Sequence, residues 1–263
     1  MTIAAPSQLL HKANVRGNVE FVDPASAPAP PSGDRRPSPV AARFDLWSAD
    51  YESSILQDAF YTRLHHHALH LATHANPAPR RLLDLGCGTG RLLRAAAARF
   101  PQADLVGVDI SAGMLDRARA MSAGRRCPTY LLADAARLPV ADRSVDIVTC
   151  TATSHHWPEP EGPLAQLRRV TADDGVLILA HLPGIAPWDL KPAAGARRQS
   201  VRTGTSRLTA LLGDAGFRIT KAALYSECPV MPTTVVLCAR PDSAPRPRGV
   251  IRLLRSGTDA TRS

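Results

Sequence analysis

Three glycines and one acidic residue stand together at a predicted strand-to-helix turn. Gly86, Gly88 and Gly90 alternate along the chain after the apolar run 82–85, and the residues behind them favour a helix. Glycine adopts positive φ readily and leaves no Cβ to hold a ligand away from the backbone. Free amides at the helix start can face a polar ligand. Asp84, at the predicted strand end, can accept a hydrogen bond from a ligand amine or hydroxyl.

A second acidic residue, Asp109, ends the next apolar run, 103–110, and lies 19 residues after Gly90. An acid at about this distance, at the tip of the second strand, is placed to accept hydrogen bonds from both ribose hydroxyls of a nucleoside. A dinucleotide fingerprint would require Gly or Ala at position 91, which is Arg91. No Gly-Lys-Ser/Thr follows the glycines, which excludes a phosphate-binding P-loop.

The pattern D-x-G-x-G-x-G, from Asp84 to Gly90, resembles that of the class I S-adenosylmethionine-dependent methyltransferases. A separate pattern that begins at Leu138, L-P-x-x-D-x-S-x-D-x-V, is typical of the same family. The resemblance runs from about Phe44 to Arg240 and is strongest to the small-molecule branch that includes the quinone-biosynthesis enzymes. It implies an α/β fold: a doubly wound, seven-stranded Rossmann-like sheet with the last strand antiparallel and an N-terminal helical lid.

The resemblance also implies roles for single residues in binding S-adenosylmethionine. Tyr51, in a W-x-x-x-Y-E-like signature, would lie at the methionine end of the cofactor. Ile110 and Met114 would form apolar walls of the adenine slot. Asp134 would accept a hydrogen bond from the adenine amino group, and the backbone amide of Ala135 would meet a ring nitrogen.

Residues that follow the fourth predicted strand should face the transferring methyl group, because ligands of open α/β sheets bind beyond the carboxyl ends of the strands. We count Cys150, at the end of that strand, among the cofactor-binding residues. His155 and His156 come next and are our catalytic candidates, since imidazole can take a proton from an attacking hydroxyl. The alternative is that both histidines only shape the pocket wall, and the sequence leaves this open.

Other features of the sequence point away from metals and membranes. His66, His70 and His74 share a helical face, but no Cys or carboxylate joins them, so we expect no metal site. The five cysteines are scattered without a C-x-x-C pair, which favours small buried residues in a reducing compartment. No apolar run approaches the roughly 18 residues of a membrane span. We therefore expect a cytoplasmic protein without a membrane span.

Composition divides the chain into three parts. Residues 1–42 are Pro-rich and predicted to be disordered, residues 43–241 form the methyltransferase domain, and residues 242–263 are a basic disordered tail. The net charge is +9, and only three of the 32 basic residues are Lys. The excess of Arg over Lys, together with the many Ala and Pro residues, follows from a GC-rich coding sequence. We therefore do not interpret the positive charge as a nucleic-acid-binding surface, and nucleic acid is not an expected partner.

The predicted activity is transfer of a methyl group from S-adenosylmethionine to a small-molecule acceptor, on O, N or C, by in-line displacement. Residues 183–206 are the predicted substrate-specificity loop. Two alternatives stay open: an RNA or protein methyltransferase that uses the basic tails, and a noncatalytic S-adenosylmethionine-binding protein. The sequence leaves open the identity of the acceptor and whether the protein forms a homodimer.

Overall fold

The computed structural model describes residues 38–54, 57–124, 127–183, 197–226, 233–242 and 254–255. Its helices are α1 Pro39–Trp47, α2 Thr62–Ala75, α3 Arg91–Arg99, α4 Ala112–Ser122, α5 Glu161–Val170 and α6 Arg197–Asp214. Its strands are β1 Arg81–Leu85, β2 Asp104–Asp109, β3 Thr129–Leu132, β4 Val145–Thr151, β5 Thr171–His181, β6 Phe217–Tyr225, β7 Thr234–Pro241 and β8 Leu254–Arg255. None of the described helices is long and apolar enough to cross a membrane.

All eight strands form one mixed sheet in the order β3-β2-β1-β4-β5-β7-β6-β8. Strands β1 to β5 pair in parallel, and β7 inserts antiparallel between β5 and β6. This confirms the predicted seven-stranded Rossmann-like sheet. The two-residue strand β8 pairs with β6 and lies in the tail that we predicted to be disordered. The order of the strands reverses between β1 and β4, which is where ligands bind in open α/β sheets.

Helices cover both faces of the sheet, and alternate strand residues point to opposite faces. Leu82 and Ile147 belong to the buried cluster that α2, α3 and α4 cover. Their neighbours Leu83 and Val148 belong to the cluster that α5 and α6 cover. Because both faces are covered, every residue of β4 and four of the five residues of β1 are buried, as is typical of parallel strands.

Helix α1 begins earlier than the composition suggested. Proline is favoured at the first position of a helix, and here Pro39 takes that position while Ser38 caps the helix end by accepting a hydrogen bond from the Ala41 amide at 3.1 Å. Residues 39–42 are therefore helical, and the predicted boundary at residue 43 was wrong by one helical turn. Residues 1–37 lie outside the described part of the chain.

Strand β5 contains a bulge at Asp173–Gly175, because Val145 pairs with Thr171 but Ile147 pairs with Val176. The predicted specificity loop is shorter than expected, because its residues 197–206 belong to α6. Residues 184–196 of that loop lie outside the described residues.

Asp146 anchors the start of β1, and we expect Asp146→Ala to destabilise the fold. Its buried Oδ2 accepts hydrogen bonds from the backbone amides of Arg80 at 2.7 Å and Arg81 at 2.9 Å. Loss of the carboxylate leaves these donors without an acceptor, which should lower the free energy of unfolding by about 2 kcal/mol. Urea unfolding measures this change.

The matched control is Asp116→Ala, which removes an exposed ion pair with Arg119 within α4. We expect it to change the free energy of unfolding by less than about 0.5 kcal/mol. An equal loss in both variants would contradict the anchoring role of Asp146.

Candidate functional site

A cavity of about 840 Å³ lies at the carboxyl ends of β1, β2 and β4, under a lid that we define as residues 38–54 and 57–61. The sheet supplies the floor, and α1 with the short helical turns Tyr51–Ser53 and Gln57–Tyr61 supplies the roof. Most of the predicted site residues line this cavity: Tyr51, Asp84, Gly86, Gly88, Asp109, Ile110, Met114, Asp134, Ala135, His155 and His156. Their separate roles stay predictions.

The glycine turn has the backbone that its sequence predicts. Gly86, Gly88 and Gly90 have φ values of 72°, 52° and 78°, which side-chain-bearing residues rarely adopt. A Cβ on Gly86 would overlap the side chain of Thr153, so the turn and the segment after β4 approach closely. At Gly88 the nearest atom to such a Cβ is a ring carbon of Tyr51, 4.0 Å away. The lid thus packs on the turn without filling the space beside it.

Two predicted cofactor-binding residues do not line the cavity. Gly90 caps the start of α3 with its left-handed backbone, beside the phenol of Tyr130. Cys150 is fully buried in the cluster under α5 and α6, because strand residues alternate and its neighbour Thr151 takes the cavity side. Cys150 therefore does not face the cavity and Gly90 begins α3, while their predicted contacts with the cofactor stay predictions.

Asp109 joins two loops at the cavity floor. Its Oδ2 accepts a hydrogen bond from the Gly88 amide at 2.8 Å, and its Oδ1 accepts one from the Ser111 amide at 2.9 Å. Burial raises the pKa of Asp109, although these amide bonds oppose the shift. Each carboxylate oxygen can still accept a second hydrogen bond from a ligand hydroxyl.

Asp84 is a buried carboxylate, and among the described residues no cation contacts it. Thr149 donates a hydrogen bond to its Oδ1 at 2.7 Å. Burial raises the pKa of Asp84 to about 7, with a small further contribution from the charge of Asp109. A buried carboxylate is costly unless a positive group pairs with it, so this end of the cavity suits a ligand cation.

Two carboxylates fasten the lid to the sheet side. Asp45 of α1 accepts hydrogen bonds from the hydroxyl of Ser111, the N-cap of α4, at 2.6 Å and from the amide of Gly113 at 3.0 Å. These donors hold the pKa of Asp45 below its usual value. A negative charge is favourable at this position because it lies at the positive end of α4.

Glu52 fastens the lid to the glycine turn. It accepts a hydrogen bond from the Thr89 hydroxyl and another from Arg91 at 2.5 Å, while Arg94 lies 3.7 Å away. Asp58 also contacts Arg91, at 3.0 Å, but its side chain is exposed. Arg91, which stands where a dinucleotide fingerprint would require Gly or Ala, therefore holds the lid in place.

The two candidate histidines are adjacent, with ring centroids 3.9 Å apart. Arg43 of α1 lies 3.2 Å from Nδ1 of His156. Guanidinium can only donate, so Nδ1 accepts this hydrogen bond and the imidazole carries its proton on Nε2. Burial, followed by the neighbouring positive groups, lowers the pKa of His155 to about 3 and that of His156 to about 4. Both rings are therefore neutral at physiological pH.

Two buried polar side chains at the cavity were not singled out from the sequence. Gln57 is 1% exposed and lines the cavity. Its Nε2 has no hydrogen-bond partner within 3.5 Å, although the side chain lies close enough to the Tyr51 hydroxyl to oppose the rise in the pKa of that group. Nδ1 of His65 is also buried and unpaired. Gln57 lies in the last helical turn of the lid and His65 lies in α2. Their positions fit the helical spacing of the buried residues, and no sequence motif distinguishes them. A buried polar atom without a protein partner is costly, and a water molecule or a bound ligand can satisfy it.

Two histidines on the histidine face of α2 are joined by a local hydrogen bond. His74 donates a hydrogen bond from Nδ1 to the backbone oxygen of His70 at 2.9 Å. Within the described ranges, no group of three or more His, Cys, Asp or Glu side chains is arranged to hold a metal ion.

Comparison with known proteins identifies the family. The profile of the methyltransferase domain family matches residues 83–179. The malonyl-[acyl-carrier protein] O-methyltransferase of Geobacter sulfurreducens is 34% identical over 196 residues, which cover 70% of this chain and 71% of that protein. The chain belongs to the S-adenosylmethionine-dependent methyltransferases.

Two other similar proteins are named for different methyl acceptors. The demethylmenaquinone methyltransferase of Thermus thermophilus is 34% identical over 147 residues, which cover 56% of this chain and 64% of that protein. The magnesium protoporphyrin IX methyltransferase of Synechocystis, solved with bound S-adenosylhomocysteine, matches with a TM-score of 0.58 and 21% identity over 76% of this chain and 97% of that one. This last likeness supports the fold.

We expect Glu52→Ala to loosen the lid, because it removes the partner that Thr89, Arg91 and Arg94 share. Limited proteolysis should then cut within the lid at least about fivefold faster than in the parent protein, since lid opening would cost about 1 kcal/mol less. The control is Asp58→Ala, which removes the exposed partner of Arg91 and should leave the cleavage rate nearly unchanged. Equal rates for both variants would contradict the role of Glu52.

Proposed function

We propose that the cavity holds S-adenosylmethionine along the sheet edge and passes its methyl group to a small-molecule acceptor bound between the lid and the segment after β4. The observation that carries this proposal is the buried, cation-free carboxylate of Asp84 beside the glycine turn. Its position suits the amino group of the cofactor, which is the charge that this end of the cavity lacks.

The remaining cavity residues suit the other parts of the same molecule. The free lone pairs of Asp109 can accept from the two ribose hydroxyls. Ile110 and Met114 offer apolar walls to the adenine ring, and Asp134 can accept from its amino group, which is only a donor. Asp134 already accepts from the Ala136 amide at 2.8 Å, which fixes its orientation.

When bound, S-adenosylmethionine supplies an activated methyl group on a sulfonium. The protein's contribution is therefore to align the acceptor and to exclude water. The lid residues Phe44 and Trp47 and the buried Trp157 provide apolar walls on the acceptor side. The edge contact between Phe44 and His156, with ring centroids 5.1 Å apart, joins the lid to the segment after β4.

We place the protein in the cytoplasm and expect no nucleic-acid partner. The four cysteines of the described chain, Cys87, Cys127, Cys150 and Cys238, are all free thiols, which fits a reducing compartment. The relatives named above carry the names of different methyl acceptors, so membership of the family does not define the acceptor of this protein.

The first prediction concerns the proton that Asp84 carries. Its pKa of about 7 means that the unliganded carboxyl is largely protonated near pH 6. A ligand ammonium beside it should lower that pKa, so binding of S-adenosylhomocysteine near pH 6 should release about one proton, and binding near pH 8, where Asp84 is already ionised and the ligand amino group is still charged, should release almost none. Titration calorimetry in two buffers of different ionisation enthalpy measures the protons released.

Asp84→Asn should abolish this release and weaken binding by at least about tenfold, because the ammonium loses its partner. The control Asp142→Asn, on an exposed side chain outside the cavity, should bind and release protons like the parent protein. Binding to the parent protein without proton release near pH 6 would contradict the role of Asp84.

The second prediction concerns the unpaired amide of Gln57, which we assign to the cofactor carboxylate. Gln57→Leu should weaken S-adenosylhomocysteine binding by about tenfold or more, as for a lost hydrogen bond to a charged group. Binding of 5′-methylthioadenosine, which lacks the amino-acid part, should change less than about twofold. Calorimetry with both ligands tests this difference, and equal losses for the two ligands would contradict the assignment.

A further inference from the structure

Arg43 is a cation at the cavity without a carboxylate partner among the described residues. Its guanidinium lies 3.2 Å from Nδ1 of His156 and over the ring of Phe44, whose centroid is 5.0 Å from the guanidinium carbon. The other arginine that lines the cavity, Arg91, is neutralised by Glu52 and Asp58. The positive charge of Arg43 is therefore available to a ligand. Arg43 lies at the acceptor side of the cavity, because it contacts His156 in the segment after β4.

Neither neighbouring histidine is suited to remove a proton from an acceptor. The hydrogen bond from Arg43 occupies the only lone pair of the neutral His156 ring, and the remaining ring group, Nε2–H, is a donor. His155 has a free Nδ1, but a proton placed there would lie in a buried position close to His156, His181 and Arg43, which opposes a second positive charge. Protonation of either ring is thus unfavourable.

Arg43 is a cation, His156 offers only a hydrogen-bond donor, and His155 is a weak base. This surrounding favours a methyl acceptor whose nucleophilic atom is already ionised. An alcohol or an ordinary amine would have to lose a proton during the reaction, and this side of the cavity offers it poor acceptors. A carboxylate carries its negative charge at neutral pH and needs no base. Guanidinium also matches the geometry of a carboxylate, to which it donates two parallel hydrogen bonds or one from each side.

We propose that the methyl acceptor is an organic carboxylate that binds to Arg43 and the Nε2–H of His156, and that the product is its methyl ester. This inference rests on the proposed function. One carboxylate oxygen forms a bond to the methyl carbon, the carbon–sulfur bond breaks with its electron pair left on sulfur, and no proton moves. Arg43 and His156 hold the second oxygen and so direct the first.

The experiment uses the full chain loaded with S-adenosylhomocysteine. A panel of aliphatic and aromatic carboxylic acids is titrated into it, each beside its carboxamide, which has the same shape without the charge, and beside a phenol of similar size. We expect at least one carboxylate to bind about tenfold or more tightly than its carboxamide and its matched phenol.

Variants then assign this preference to Arg43. Arg43→Gln should remove the tenfold preference while leaving carboxamide binding nearly unchanged, and Arg43→Lys should keep part of it because the charge remains. Arg99→Gln, on an exposed arginine of α3 outside the cavity, is the control and should retain the full preference.

The outcomes separate this inference from the proposed function. Failure of the parent protein to bind S-adenosylhomocysteine would overturn both. Binding of S-adenosylhomocysteine with no bound carboxylate, with carboxamides or phenols bound equally well, or with a preference that persists in Arg43→Gln would overturn the acceptor inference alone.

Discussion

The hydrogen bonds that Asp109 accepts hold the rest of the site in place. Its carboxylate joins the amide of Gly88, in the turn after β1, to that of Ser111, at the start of α4. The two loops would otherwise be connected only through the paired ends of β1 and β2. Because Ser111 and Gly113 in turn donate to Asp45, the same small network sets the position of the lid. Cavity floor and roof are therefore one hydrogen-bonded unit.

The charges of the cavity are separated between floor and roof. The strand ends contribute the carboxylates Asp84, Asp109 and Asp134, whereas the lid contributes Arg43. A cationic ligand is thus favoured along the sheet and an anionic one beneath α1. Two reactants of opposite charge would be sorted to opposite sides of one cavity before any side chain takes part in the reaction.

The core of the fold could be predicted from the sequence because its signals are local. Apolar runs mark the parallel strands, and the glycine spacing marks the turn. The docking of the lid could not be predicted, since the contact of Glu52 with Arg91 joins residues that no short-range pattern relates. The beginning of α1 was missed because Pro39 is a helix starter in one context and a loop residue in another. Cys150, which we predicted to bind the cofactor, faces away from the cavity because strand residues alternate faces.

The lid precedes in the chain every group that fastens it. Asp45 is separated from Ser111 by 66 residues, and Glu52 is separated from Arg91 by 39. A nine-residue helix such as α1 has little stability alone in water. During synthesis on the ribosome the lid segment emerges first and must wait until β2 and the start of α4 have followed. The cavity is thus built with its roof detached, so the nascent chain passes through a stage in which the nucleotide-binding edge is open to solvent.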